Sequence, residues 1–418
     1  MVSGLTAYGF LAIASRALGP KAYAPVSVLW TLVFLVAPGL FLPLEQEVGR
    51  MVSTRRVQGM GSRPVVTRAG AAGSVVAVAV VAIALAAHGP LVDRLFDGET
   101  LLLVAFLLAV LSYLVYYLAR GVLAGSGAFG GYGVLLTVEG LVRVLATAAF
   151  AVAGVKLAGV YGLAVGLPCF AGVAVGLLAS RVELRPGSPV HWADISHAVG
   201  FLVAGSLFGQ FLVNAGPLAV KTLAAPGEQA AAGTFLNGLV IARIPLFFFQ
   251  AVQASLLPAL AAQAAAGHYH EFRHGLLRLM AAVAAVAGLA VAGSALLGPF
   301  VVSHFFGAGF QLSHLDMALL AAASGLYMLA LGLVQGVIAL AGHRLVPLGW
   351  IAGVVAFVAA VAGLGAVGSI HVILRVELAF VIGALVALVA VGALLETRLR
   401  ATRHAPSSAP AVTVSSRS

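Results

Sequence analysis

Twelve apolar runs follow one another along the chain, each about long enough to cross a bilayer and separated by almost nothing polar. A bilayer's hydrocarbon core takes about 20 apolar residues per helix. No run alternates apolar and polar residues as a membrane-barrel strand does. The chain therefore reads as an all-α polytopic membrane protein of about 12 transmembrane helices. The first six runs are 2–18, 23–44, 69–91, 101–118, 133–153 and 157–179; the second six are 198–220, 230–260, 276–297, 315–341, 345–365 and 372–395. The run 230–260 is long enough to tilt or to bend near Pro245 and Pro258. No Lys or Arg precedes the apolar core of 2–18 and no clear Ala-x-Ala-like site follows it, so it reads as a first membrane helix and not as a signal peptide.

Only 9% of the residues are charged, against about 25% in a soluble domain. The formal charge of +10 raises nucleic acid as a partner, and the placement of the charges argues against it. With a cytoplasmic N-terminus, fifteen arginines fall on the cytoplasmic side: Arg50, Arg55, Arg56, Arg63, Arg68, Arg120, Arg181, Arg185, Arg273, Arg278, Arg344, Arg398, Arg400, Arg403 and Arg417. The opposite side holds Arg16, Lys21, Arg94, Lys156, Lys221 and Arg375, and Arg94 lies among Asp93, Asp97 and Glu99. This is the positive-inside asymmetry of a multi-pass protein of the cytoplasmic membrane with both termini cytoplasmic, although Arg16 and Lys21 run against it. The partner it predicts is anionic lipid headgroup.

Two short matches divide the chain near its middle. Arg120-Gly-Val-Leu-Ala-Gly-Ser-Gly127 aligns with Gln335-Gly-Val-Ile-Ala-Leu-Ala-Gly342, and Pro38-Gly-Leu-Phe41 with Gln46 aligns with Pro245-Leu-Phe-Phe248 with Gln253. Each pairs a run in the first six with its counterpart in the second six. Because six is even, the halves share an orientation and form a parallel repeat, with a substrate site expected between them. The expected organisation is a six-helix lobe over 1–180, a cytoplasmic linker over 181–197, a second six-helix lobe over 198–396 and a disordered cytoplasmic tail over 397–418. The longest hydrophilic stretches, 45–68 and 181–197, are too short for a soluble domain, so function must reside in the bundle.

Phosphate-loop, His-Glu-x-x-His and Gly-x-Ser-x-Gly patterns are all missing, which argues against an enzyme. The single cysteine, Cys169, excludes disulfides and cysteine metal sites, and His268, His270 and His274 read as a solvated basic loop. No cofactor or metal is expected.

Charges inside spans cost roughly 2.5–3.5 kcal/mol each on the insertion scale, so those retained face protein or water. Arg143 lies four residues after Glu139, on one helix face, either as an ion pair docking helices or as a charge lining a cavity. Arg243 has no acid within its own turn, Gln250 shares its face and Gln253 lies at the edge. An unpaired guanidinium beside amides suits a phosphate or pyrophosphate; the alternative is snorkelling or a partner on another helix. Arg16, near the end of the first run, joins this cavity set or snorkels to the interface. Gln210 and Asn214 share a face of the seventh run, bonding neighbouring helices or lining the cavity. Tyr113, Tyr116 and Tyr117 read as an interfacial aromatic belt.

Several phrases then resemble the polysaccharide flippases of the multidrug/oligosaccharidyl-lipid/polysaccharide (MOP) exporter superfamily. They are Arg16-Ala-Leu-Gly-Pro-Lys-Ala-Tyr23; Arg120-Gly-Val-Leu-Ala-Gly125 through Tyr132 to Glu139-Gly-Leu-Val-Arg143; Gly233-Thr-Phe through Arg243 and Pro245 to Leu256-Leu-Pro258; and Gly298-Pro-Phe with Phe306-Gly307. The resemblance runs over about the whole chain. It implies two six-helix lobes that rock to move a polyprenyl-pyrophosphate oligosaccharide across the cytoplasmic membrane, for lipopolysaccharide or related envelope polysaccharide biosynthesis. Envelope glycosyltransferases or a polymerase would be its partners. It also implies that Arg243 matches a cavity arginine of the eighth helix. Family members often carry an acid in the seventh helix where this chain has Asn214, and the lipid II branch has two further C-terminal helices absent here. The alternative function is a cation-coupled multidrug exporter of the same superfamily. That role needs an available intramembrane carboxylate, and the sequence places only Glu139, beside Arg143, firmly in a span. A membrane-embedded glycan polymerase or ligase would need a large external loop that the sequence lacks.

Overall fold

Gly19 reverses the chain at its first turn. In the computed structural model, Val2–Val57 is helical apart from Gly19, whose φ of 73° and ψ of 171° are left-handed and extended, a conformation that favours glycine. The Phe10 and Trp30 rings stack with centroids 5.2 Å apart. A continuous helix would hold them about 30 Å apart, so residues 2–18 (α1) and 20–57 (α2) are antiparallel neighbours. The structure describes residues 2–190, 192–225, 227–228, 230–246, 248–249, 260, 262–264, 266–340, 342–366 and 370–404.

The remaining long helices among the described residues are α3 (Arg63–Ala86), α4 (Thr100–Gly125), α5 (Phe129–Val152), α6 (Ala158–Ser180, interrupted before Pro168), α7 (Trp192–Leu223), α8 (Ala231–Ala242), α9 (Tyr269–Phe306), α10 (His314–Ala339), α11 (Val346–Ala366) and α12 (Val372–His404). Ten stretches are long and apolar enough to cross a membrane; the first of them contains both α1 and α2, and α8 is the shorter start of the predicted eighth span. Every predicted span thus has a helix, in two lobes, α1–α6 and α7–α12. Of the two matched sequence pairs, Pro38–Phe41 lies within α2 while its match begins three residues beyond the end of α8, and Arg120 lies on α4 with its match Gln335 on α10.

Several helix ends depart from the sequence reading. The stretch 45–68, read as hydrophilic connection, is helical to Val57 and again from Arg63. Its charges tolerate helix because Arg50 pairs with Glu47 and Arg55 donates to the Gly61 carbonyl at 2.9 Å. α7 begins at Trp192, inside the predicted linker, and α12 runs to His404, inside the predicted tail; residues 405–418 lie outside the described residues. Residues 181–190 lie across the turn between α2 and α3, where Arg63 N donates to the Arg185 carbonyl at 3.0 Å.

The motif Arg120-Gly-Val-Leu-Ala-Gly125 has a packing reason. Gly121 and Gly125 sit one turn apart on α4, against the α2 backbone. A Cβ at Gly121 would lie 2.7 Å from the Glu45 carbonyl oxygen, and one at Gly125 would lie 2.6 Å from that of Gly49. Small residues at this spacing let two helix backbones touch, the favoured packing mode where lipid supplies no hydrophobic drive between helices.

Successive helices alternate in direction, so the turns after α1, α3, α5, α7 and α9 share one face. On that face the lobes are joined. Ser15 donates to the Phe306 carbonyl at 3.1 Å, and the Tyr23 hydroxyl donates to Asn237 Oδ1 at 2.9 Å. Lys221 Nζ on α7 meets both oxygens of Asp97, before α4, at 2.6 and 2.7 Å. The Lys221 side chain is only 4% exposed, which shields this pair from solvent more than an ordinary surface ion pair. Lys221→Ala is expected to loosen this face. In a Cys169→Ala background, a reporter Ala24→Cys, fully buried at the same seam, should then react with a membrane-impermeant maleimide several-fold faster than with Lys221 intact. Unchanged labelling would mean that the clasp does not hold the lobes.

Candidate functional site

Two arginines inside the bundle, Arg143 buried and Arg243 half-buried, define two different environments. Arg143 on α5 pairs with Glu139 one turn earlier, and both side chains are almost completely buried, at 3% and 2% exposure. Arg143 also donates to the Tyr113 hydroxyl at 3.2 Å, and its guanidinium lies over the Trp30 ring at 5.7 Å. Its charge is therefore met from α2, α4 and α5, all within the first lobe.

A second charged cluster lies beside it, toward the basic end of α4. Arg120 contacts Glu45 at 3.1 Å and Tyr132 Oη at 2.7 Å, Tyr132 donates to Glu45 at 3.1 Å, and the guanidinium sits 5.3 and 4.9 Å from the Tyr116 and Tyr117 ring centroids. The aromatic-belt reading of Tyr113, Tyr116 and Tyr117 is corrected here. They are 4%, 4% and 6% exposed and pack edge to face between the two arginines. A membrane belt needs tyrosines on the lipid face, whereas these turn inward because arginine π-faces and hydroxyl partners lie there.

Arg243 differs in kind. It sits at the C-terminus of α8 between the lobes, with Tyr8 of α1 and Tyr327 of α10 as its electrostatic neighbours. Tyr8 donates to the Val240 carbonyl at 2.8 Å, one turn back on α8. Arg243 Nη1 donates to Asn214 Oδ1 at 3.1 Å, while Nε and Nη2 are buried and meet no hydrogen-bond acceptor among the described residues. Among the described residues no carboxylate pairs with it. Asn214 in turn donates to Gln210 Oε1 at 2.9 Å and to the Phe34 carbonyl of α2 at 3.2 Å. The structure thus brings Arg243, Asn214 and Gln210 into one chain that crosses from the second lobe to the first.

The other sequence candidates fall elsewhere. Arg16 does not join this group: it caps α9, donating through Nε to the Phe305 carbonyl at 2.9 Å and through Nη2 to the His304 carbonyl. A helix C-terminus presents unpaired carbonyls and the negative end of its dipole, which is where an arginine is favoured. Glu139 and Arg143 lie inside the first lobe. Gln250 and Gln253 lie outside the described residues.

Three buried acids escaped the sequence reading: Glu45 and Glu47, in a stretch read as hydrophilic connection, and Glu377, inside an apolar run. Glu377 on α12 is fully buried, neither carboxylate oxygen meets a hydrogen-bond donor among the described residues, and it faces Asp316 at the start of α10. Its signal was plain, an acid inside an apolar run, but its place near the run's start resembles an interfacial position. Tyr8 and Tyr327 were also missed, because a lone tyrosine in an apolar helix carries no pattern until its neighbours are known.

No protein-family model matches the sequence. Uncharacterized proteins of Mycobacterium bovis and Mycobacterium tuberculosis are 26% identical over 377 residues, covering 85% of this chain and 81% of theirs. Among solved structures, the inward-facing conformation of a multidrug resistance MATE family transporter of the MOP superfamily superposes with a TM-score of 0.77 at 15% identity, over 97% of this chain and 96% of that one. An outward-facing conformation of such a transporter gives 0.67 at 15% identity, over 96% and 94%. A Vibrio cholerae MATE transporter in its bent form gives 0.64 at 16%, over 96% and 95%. The fold is that of the MATE transporters, in two six-helix lobes.

Proposed function

We propose that the protein is a membrane transporter that moves lipid-linked oligosaccharide or polysaccharide precursors across the cytoplasmic membrane by alternating access. The observation that carries this reading is the Arg243 guanidinium between the lobes, with two donors unpartnered and no carboxylate to neutralise it among the described residues. A fixed, half-buried cation of this kind favours an anionic headgroup such as a pyrophosphate. It disfavours a cationic drug, which would have to enter beside an uncompensated positive charge. The basic face is the cytoplasmic one in this reading. The lobes then meet at the external face, as an inward-facing state requires. Glycosyltransferases or a polymerase acting on the same glycan are the partners that such cargo implies.

The test is translocation of a fluorescent lipid-pyrophosphate oligosaccharide in proteoliposomes. Native protein is expected to move it and Arg243→Ala to lose that movement. A native protein that leaves it in place while exporting cationic dyes would reject the flippase.

A second reading, a cation-coupled multidrug exporter, is favoured by one observation. The sequence argument against it was that only the paired Glu139 occupies a span, and Glu377 with Asp316 supplies a buried carboxylate that no cation neutralises among the described residues. In that reading Glu377→Gln abolishes gradient-driven dye export. Export that is unchanged in Glu377→Gln would remove this support.

A further inference from the structure

Arg243 keeps its charge available because the side chain that orients it is an amide. Asn214 Nδ2 is surrounded by acceptors: the Phe34 carbonyl at 3.2 Å, the Gln210 carbonyl at 3.1 Å and Gln210 Oε1 at 2.9 Å. These fix which way the amide points, and its oxygen is turned to Arg243 Nη1 at 3.1 Å. A guanidinium presents its donors in a planar fork, and adjacent N–H groups on one edge match two oxygens of a phosphate. Asn214 holds the Nη1 corner. Among the described residues, the edge left without a partner is Nε with Nη2, the side-on bidentate edge.

We infer that Asn214 is a specificity-determining residue of this transporter, an uncharged positioning group that presents the Nε/Nη2 edge of Arg243 to a phosphate-type oxyanion. The inference rests on the anionic-cargo reading above. An aspartate at 214 has nearly the same volume, yet it would set a full negative charge 3.1 Å from the guanidinium and neutralise it. Its second oxygen would also face the Phe34 and Gln210 oxygens to which the amide now donates. An alanine at 214 deletes every one of these hydrogen bonds and leaves the positive charge in place. The two substitutions therefore separate charge from scaffolding. Because Phe34 belongs to the first lobe and Arg243 to the second, parting the lobes at this level releases Asn214 and with it the orientation of the guanidinium.

The experiment titrates purified full-length protein in detergent with farnesyl pyrophosphate and with uncharged farnesol, following heat, with thermal unfolding of each variant recorded alongside. Native protein is expected to prefer the pyrophosphate. Asn214→Asp should lose about tenfold or more of that preference, the scale of one hydrogen bond to a charged group, with farnesol binding unchanged. Asn214→Ala should lose less. A purely structural amide predicts the reverse order, since alanine removes more contacts. Asn214→Asp binding the pyrophosphate as native does, or Asn214→Ala binding it more weakly than Asn214→Asp, overturns the inference and leaves the cargo reading standing. Native protein that does not distinguish the two ligands overturns the cargo reading and the inference with it. If Asn214→Asp does not fold, Asn214→Ala is compared with Asn214→Ala/Arg243→Gln. The single variant is expected to keep most of the preference and the double to lose it, and a single variant with no preference left overturns the inference.

Discussion

Glu139→Ala is expected to lower the stability of the protein by about 3–5 kcal/mol, the scale of breaking a buried ion pair by removing one partner. Arg143 is 3% exposed, and its other contacts are neutral, the Tyr113 hydroxyl and the Trp30 ring face. Without Glu139 the guanidinium remains in the lobe with no countercharge, since it cannot shed its proton. Unfolding in detergent, followed by tryptophan fluorescence against denaturant or temperature, measures the loss. Glu139→Leu combined with Arg143→Met should recover most of it, because replacing both members of a buried pair by apolar groups is often neutral or stabilising. A double variant no better than Glu139→Ala would mean that the pair does more than neutralise itself.

Arg243→Leu is expected to have the opposite effect on stability. Nε and Nη2 are buried without acceptors, and each unsatisfied donor of this kind costs about 1–3 kcal/mol. Removing them should raise the unfolding midpoint, while transport of an anionic lipid falls to background. Stability stored against function in this way is common at binding sites. A variant that loses stability and transport together would place Arg243 in the scaffold, with Arg143. Measuring both substitutions in the same preparation separates a charge that holds the lobe together from one kept for cargo.

How far these roles were legible follows from how far apart the partners lie in sequence. The i,i+4 spacing of Glu139 and Arg143 announced their pairing, and α5 confirms it. Arg243 showed the sequence only the lack of an acid within its turn. Asn214 shared a face with Gln210 by the same periodicity, but nothing local linked it to Arg243 on the next helix or to Phe34 on α2. Tyr113, Tyr116 and Tyr117 were read for the wrong face, because clustered tyrosines near a helix end look alike whether lipid or a buried arginine attracts them. Glu377 was overlooked for a related reason: depth along the membrane normal is not written in a single run.

The sequence by itself determined the solvent, the helices and their number. In lipid each span satisfies its own backbone hydrogen bonds, so length and apolarity suffice to specify it. Tertiary structure alone decided which buried charges are compensated. A guanidinium's energy depends on groups within a few ångströms, and in this fold those groups arrive from other helices, Tyr8 from α1, Asn214 from α7 and Tyr327 from α10. That difference in reach is why the spans could be counted from the chain, while the distinction between Arg143 and Arg243 had to be seen in the packed lobes.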